Sequence, residues 1–114
     1  MKTLMVVYDN DSYVSWFPQG LAYLASALRE ANHEIVIYQQ DIYHFPDEHL
    51  TDYLNKNEYD VVMVSTIGGY YQYRKLLSLS KAINNSVNRK NFKYLIGGHG
   101  PASEPEFFLE KNAG

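Results

Sequence analysis

FKYLIGGHGPASEP, residues Phe92–Pro105, contains a strand that stops abruptly. Lys93–Ile96 has the apolar character of a short strand and runs straight into Gly97-Gly98. His99, Gly100 and Pro101 follow, and Ala102–Pro105 reads as the approach to another helix. Paired glycines cost backbone entropy and contribute no packing. At the end of a buried strand they point to something that comes close to the main chain. In an open α/β sheet the carboxyl ends of the strands are also where ligands dock. Gly97-Gly98 is therefore either a ligand floor or a tight turn, and the other loops bear on the choice.

Working outward, the same strand-then-helix unit recurs. Leu4–Tyr8 (LMVVY) is a continuous apolar run, as in a strand covered by helices on both faces. Pro18 opens a helix well, because its missing N–H would have no partner in the first turn. Leu21, Leu24, Ala25 and Leu28 then give Pro18–Ala31 one apolar face. Asn32 suits a left-handed stop. Glu34–Tyr38 is the second strand, Asp41–Pro46 a loop, and Asp47–Lys56 a helix that buries Leu50, Tyr53 and Leu54. Asp60–Ser65 (DVVMVS) is the third strand. Thr66–Tyr70 leads into a long helix whose inner stripe is Leu76, Leu79, Ile83 and Val87. Asn88–Asn91 reads as a solvated turn. Glu104–Asn112 is the last helix, burying some of Phe107, Phe108 and Leu109.

Strands alternating with helices, with no repeat or linker, predict a single α/β domain over residues 1–114. Right-handed crossovers make it a doubly wound parallel sheet, flavodoxin-like or Rossmann-like, in strand order 2-1-3-4. The chain stops where a helix would lead to a fifth strand, so a fragment of a longer protein, or an edge left for a partner, is expected.

Bulk properties narrow the function. The 114 residues carry a formal net charge of −3, 46% hydrophobic and 20% charged residues, an ordinary globular balance. An acidic balance argues against nucleic-acid binding. The absence of cysteine excludes a disulfide scaffold, thiolate zinc and an iron–sulfur cluster held by this chain. The apolar start before Asp9 is too short for a signal peptide or a membrane span. A soluble, cytoplasmic domain is expected. Eleven tyrosines are unusual, and composition assigns them no role.

Three segments in order, FPQGLAYLASALREANHEIVIYQQD (Phe17–Asp41), VVMVSTIGG (Val61–Gly69) and IGGHGPASEPEFFLEKNAG (Ile96–Gly114), carry a family likeness. They resemble the cobalamin-binding domain at the N-terminus of cobalamin-dependent radical S-adenosylmethionine enzymes. Domains of the methionine-synthase type have Asp-x-His-x-x-Gly after strand one, Ser-x-Leu after strand three and Gly-Gly after strand four. Ser65-Thr66-Ile67 and Gly97-Gly98 keep the second and third. The first registers on Ser15–Gly20, where only Gly20 matches. Ser15 replaces the aspartate, and Phe17 replaces the histidine that ligates cobalt. Phenylalanine cannot coordinate a metal, so the resemblance implies cobalamin held without a protein imidazole, as in many radical enzymes. It further implies that a 4Fe-4S cluster and S-adenosylmethionine belong to a following radical S-adenosylmethionine domain.

The residues allow the long nucleotide tail of cobalamin to lie at the strand ends. Gly98, after Gly97, would let the base lie on the main chain, and Ser65 and Thr66, with Ile67 next to them, would hydrogen-bond its polar edge or ribose. N–H groups near Gly20 face the tail phosphate. Trp16 and Phe17 either underlie the corrin or plug the core, and Ser65 and Thr66 either bind the tail or cap the next helix. His99 shares the edge but also reads as a solvated loop residue. Burying about 200 Å² of base at about 25 cal/mol/Å² gives about 5 kcal/mol, against about 8 kcal/mol for micromolar affinity. Weak binding by the isolated domain is expected.

No residue is expected to be catalytic or a metal ligand. His44 and His49 have poor metal spacing across Pro46, His33 reads as a turn residue, and Tyr70, Tyr71 and Tyr73 read as surface or partner-facing aromatics. A phosphoryl receiver fails because Ser65 stands where its acceptor aspartate would be. A calcium loop from Asp9 fails at Val14 and Gly20. Flavin and dinucleotide loops lack their hydroxyls and glycines. The remaining alternative is a degenerate domain of the same fold that has lost cobalamin and serves docking or substrate binding.

Overall fold

The computed structural model describes residues 1–9, 19–65, 70–97, 106, 107 and 110, with the backbone only at 19, 20 and 70–72. The strands are β1 (Lys2–Val7), β2 (Glu34–Gln39), β3 (Val61–Ser65) and β4 (Lys93–Gly97). The helices are α1 (Gln19–Glu30), α2 (Gln40–Tyr43), α3 (Asp47–Lys56) and α4 (Tyr70–Asn84), with a 3-10 turn at Arg89–Asn91. All four strands are parallel, in the order β2-β1-β3-β4. This is the doubly wound order expected from the sequence.

The order decides where the helices go. The chain steps from β1 to β2 in one direction, then back across β1 to β3 and on to β4. Right-handed crossovers therefore place α1 on one face and α3 and α4 on the other. Side chains alternate across each strand, and the two cores separate accordingly. Leu4, Val6, Val62 and Val64 pack with Leu50, Leu54, Leu76, Leu79 and Ile83. On the opposite face Met5, Val7 and Ile35 pack with Leu21 and Ala25 of α1.

The helix ends follow local chemistry. Asn32 has φ 67°; its N–H bonds the carbonyl of Arg29 and that of His33 bonds Leu28, a complete left-handed stop. Asp47 and Glu48 lie in the first turn of α3 and Lys56 in its last, each complementing the helix dipole.

Four expectations need correction. Leu24, expected on the apolar face of α1, is 37% exposed, and α1 packs through Leu21, Ala25 and Leu28 instead. The segment Asp41–Pro46 is not all loop, because α2 occupies its first half and closes on His44 at φ 53°. Val87 is not part of the inner stripe: α4 ends at Asn84, and Val87 is 79% exposed in the turn beyond. The strand before Gly97 is not buried. β4 is the last strand in the sheet order, with Lys93, Leu95 and Gly97 exposed. A fifth strand is not among the described residues. Of the last expected helix, residues 106, 107 and 110 are helical, and Phe107 meets Tyr73 at 5.8 Å between ring centroids. Phe108 and Leu109 lie outside the described residues. No described helix is long and apolar enough to cross a membrane.

Candidate functional site

Ser65 ends β3 and pairs in register with Gly97, which ends β4. The two therefore stand side by side on the carboxyl rim, on one face of the sheet. Two residues earlier in each strand, Met63 pairs with Leu95 on that same face. Met63 packs on the core beneath α1, whereas Leu95 is 48% exposed. Met63 and Leu95 are thus neighbouring apolar residues on the α1 side of the sheet, the second of them half-exposed, with a hydroxyl and a glycine two residues further along the strands. A Cβ built on Gly97 would meet nothing within 4 Å. The main chain is accessible there, and no packing in the described structure demands glycine.

Of the other residues expected at the site, Gly20 lies in the first turn of α1, where helix N–H groups lack partners in the helix itself. Trp16, Phe17, Thr66, Ile67, Gly98 and His99 lie outside the described residues.

A polar cluster on the rim near β1 and β2 was missed in the sequence. Gln40 is completely buried. Its Oε1 accepts the N–H of Asp9 at 3.1 Å, and its Nε2 donates to the carbonyl of Phe45 at 2.9 Å and to Asp47 Oδ1 at 2.7 Å. Lys75 of α4 pairs with the same carboxylate at 2.8 Å, and the Ser78 hydroxyl donates to it. Burial pushes the Asp47 pKa up, but the hydrogen bonds from Lys75, Ser78 and Gln40 outweigh it and hold the group below its ordinary value. Asp9 itself meets His44 Nδ1 at 2.9 Å. This cluster fixes the exit of β1 at Asp9. Glutamine next to a strand carries no periodic signal, so only the fold reveals its role.

A polar hollow of about 310 Å³ lies at the opposite, amino edge, lined by Lys2, Glu58, Tyr59, Asp60, Asn88 and Asn91. It is remote from the rim, and the strand-end argument does not apply to it.

In open parallel sheets ligands dock at the carboxyl rim, where this chain has an exposed glycine beside a serine. The family model described as B12 binding domain matches residues 5–114. The chain belongs to the B12-binding domain family, which supports a corrinoid as its ligand. No curated protein and no solved structure matches it.

Proposed function

We propose that this chain is the cobalamin-carrying module of a radical S-adenosylmethionine enzyme of the methyltransferase or cyclase type, and that it holds the cofactor with no histidine on cobalt. The observation that carries the site is the open main chain at Gly97 beside Ser65, next to the Met63–Leu95 pair on the same face. These residues fit the cofactor's tail: apolar side chains for the base, a hydroxyl for its polar edge, and a backbone that nothing crowds. The first turn of α1 near Gly20 faces the tail phosphate. Trp16, Phe17, Thr66, Ile67, Gly98 and His99 complete the contact set in this reading.

Phe17 at the histidine position supports the absence of a protein ligand to cobalt, and the likeness of the three segments to radical enzymes supports the wider context. The cluster and S-adenosylmethionine belong to a following domain, because this chain has no cysteine. Cobalamin supplies methyl-transfer chemistry or assists radical reactions; this chain's own residues bind and orient it and catalyse nothing by themselves.

Titration with hydroxocobalamin, followed in the visible spectrum, tests the reading. Binding at micromolar to high-micromolar concentration is expected, and Gly97→Val should abolish it without unfolding the chain. No spectral or calorimetric response would favour a degenerate docking module. Paramagnetic resonance of the bound cob(II) form should lack nitrogen splitting from a protein imidazole.

A further inference from the structure

The described sheet has two edges, β2 and β4, and they are built differently. β4 opens on the exposed Lys93 and ends on the exposed Gly97; a lysine or a glycine weakens pairing at an edge. β2 reads EIVIYQ, six residues matched one for one with β1 and without a bulge. It carries no lysine, proline or glycine, and its one charge, Glu34, stands at the first position. Sheets seldom leave such an edge unprotected. The direction of its main-chain groups follows from the ladder. The N–H of Glu34 donates to the carbonyl of Met1, so Glu34, Val36 and Tyr38 turn their main-chain groups toward β1. Ile35, Ile37 and Gln39 turn theirs away. Among the described residues, the one bond to the outward groups of Ile35 and Ile37 comes from Arg29, whose Nη2 donates to the Ile35 carbonyl at 3.3 Å.

We propose that β2 pairs antiparallel with β2 of a second copy of this chain, across a two-fold axis at Ile37, joining the two sheets into one. In an antiparallel pair only residues that face each other can exchange bonds. Setting Ile37 opposite Ile37 of the second copy meets that condition, puts Ile35 opposite Gln39, and so uses the whole outward row. The two Ile37 residues exchange both N–H···O bonds. The N–H of Gln39 reaches the Ile35 carbonyl, which Arg29 gives up; 3.3 Å is long for a bond from a charged donor. Val36 then stands opposite Tyr38, a β-branched residue against an aromatic one at the closer, non-hydrogen-bonded spacing. Glu34 falls opposite Gln40, so no carboxylate faces another. The strand is therefore complementary to itself. An apolar surface also continues from it: Tyr38 meets Phe45 at 5.7 Å, and Phe45 stacks at 5.5 Å on Tyr43, which is 66% exposed. One strand pair is a small interface, below the roughly 1,200–2,000 Å² that stable complexes bury. The dimer is accordingly weak and dependent on concentration. It leaves the carboxyl rim of β3 and β4 untouched and does not require the corrinoid.

Sedimentation equilibrium from micromolar to millimolar chain, with amide hydrogen exchange read by nuclear magnetic resonance at both ends of that range, tests the pairing. The mass should rise toward twice that of the chain. The Ile37 amide should exchange fast when dilute and slowly when concentrated, while those of Val36 and Tyr38, bonded to β1, stay protected throughout. Ile37→Lys sets like charges opposite each other on the axis and should raise the dissociation constant by about tenfold or more. Ile37→Pro removes the outward N–H without touching the ladder to β1 and should abolish the dimer. A monomer at millimolar concentration, or a dimer whose Ile37 amide stays unprotected, would overturn the proposal. So would undiminished association in either variant, once circular dichroism shows it folded. If neither variant folds, the exchange pattern of the unaltered chain decides the matter.

Discussion

The side-chain amide of Gln40 donates to the carboxylate of Asp47 at 2.7 Å, tying the end of β2 to the first turn of α3. The same amide group receives the N–H of Asp9 and donates to the carbonyl of Phe45. One buried side chain therefore fixes three segments on the rim. Gln40→Leu keeps roughly the volume but leaves those polar groups without a partner. Each unmet buried group costs about 1–3 kcal/mol, so a loss of about 2–4 kcal/mol in chemical denaturation is expected. Weaker hydroxocobalamin binding should accompany it, since Trp16 and Phe17, proposed to contact the cofactor, follow Asp9 in the chain. Stability within error of wild type would mean that the hub is dispensable.

Asp47 gives an acid-sensitive term with a definite sign. Its pKa lies below the ordinary 3.8 in the folded chain. The stability it contributes is fully present above that value and is lost as pH falls through the lower folded pKa. Asp47→Asn should destabilise the neutral protein by about 1.5–3 kcal/mol, the usual worth of hydrogen bonds to a charged group. The gap between variant and wild type should then close in strong acid. Urea midpoints measured from neutral to acid pH would reveal this; a constant gap would contradict it.

At the alkaline end the sign reverses. Burial pushes Tyr94 up from 10.0 to about 12, and burial likewise raises Tyr38 and Tyr59 further. Stability from these neutral phenols is present below 10.0 and declines as pH rises toward the folded values. Tyrosinate absorbance from the buried phenols should therefore appear together with loss of circular dichroism. Tyr94→Phe loses the bond to Ser80, about 1 kcal/mol at neutral pH, yet should lose less than wild type on going to high pH. Ionisation of these phenols in a still-folded chain would refute the linkage.

The strand order was legible because each helix follows its strand and handedness leaves few alternatives. Leu50, Leu54, Leu76, Leu79 and Ile83 announced themselves by spacing, and all are buried. Val87 continued the same spacing but fell beyond the helix end, since periodicity does not see where a helix stops. Ser65 and Gly97 were found from loop composition. Their adjacency needed the sheet register, and so did the Met63–Leu95 pair, because the exposure of Leu95 depends on which strand lies at the edge. Gln40 stayed hidden, since its side-chain contacts run between elements and follow no helix or strand period.

Leu79 and Leu95 separate folding from binding. Leu79 is completely buried between α4 and the sheet, whereas Leu95 is 48% exposed on the α1 side of the edge strand. Leu79→Ala should lose about 2–5 kcal/mol, through lost burial and the cavity left behind. Leu95→Glu removes little packing and should stay within about 0.5 kcal/mol in urea denaturation. A carboxylate there would nonetheless stand on the surface where an apolar base is proposed to lie. Burying it against the base carries a desolvation penalty with no partner charge to offset it. Hydroxocobalamin affinity should therefore fall in Leu95→Glu, while a folded Leu79→Ala chain, altered only on the far face, retains it. Equal affinity in Leu95→Glu and wild type would place the tail elsewhere than on Met63 and Leu95.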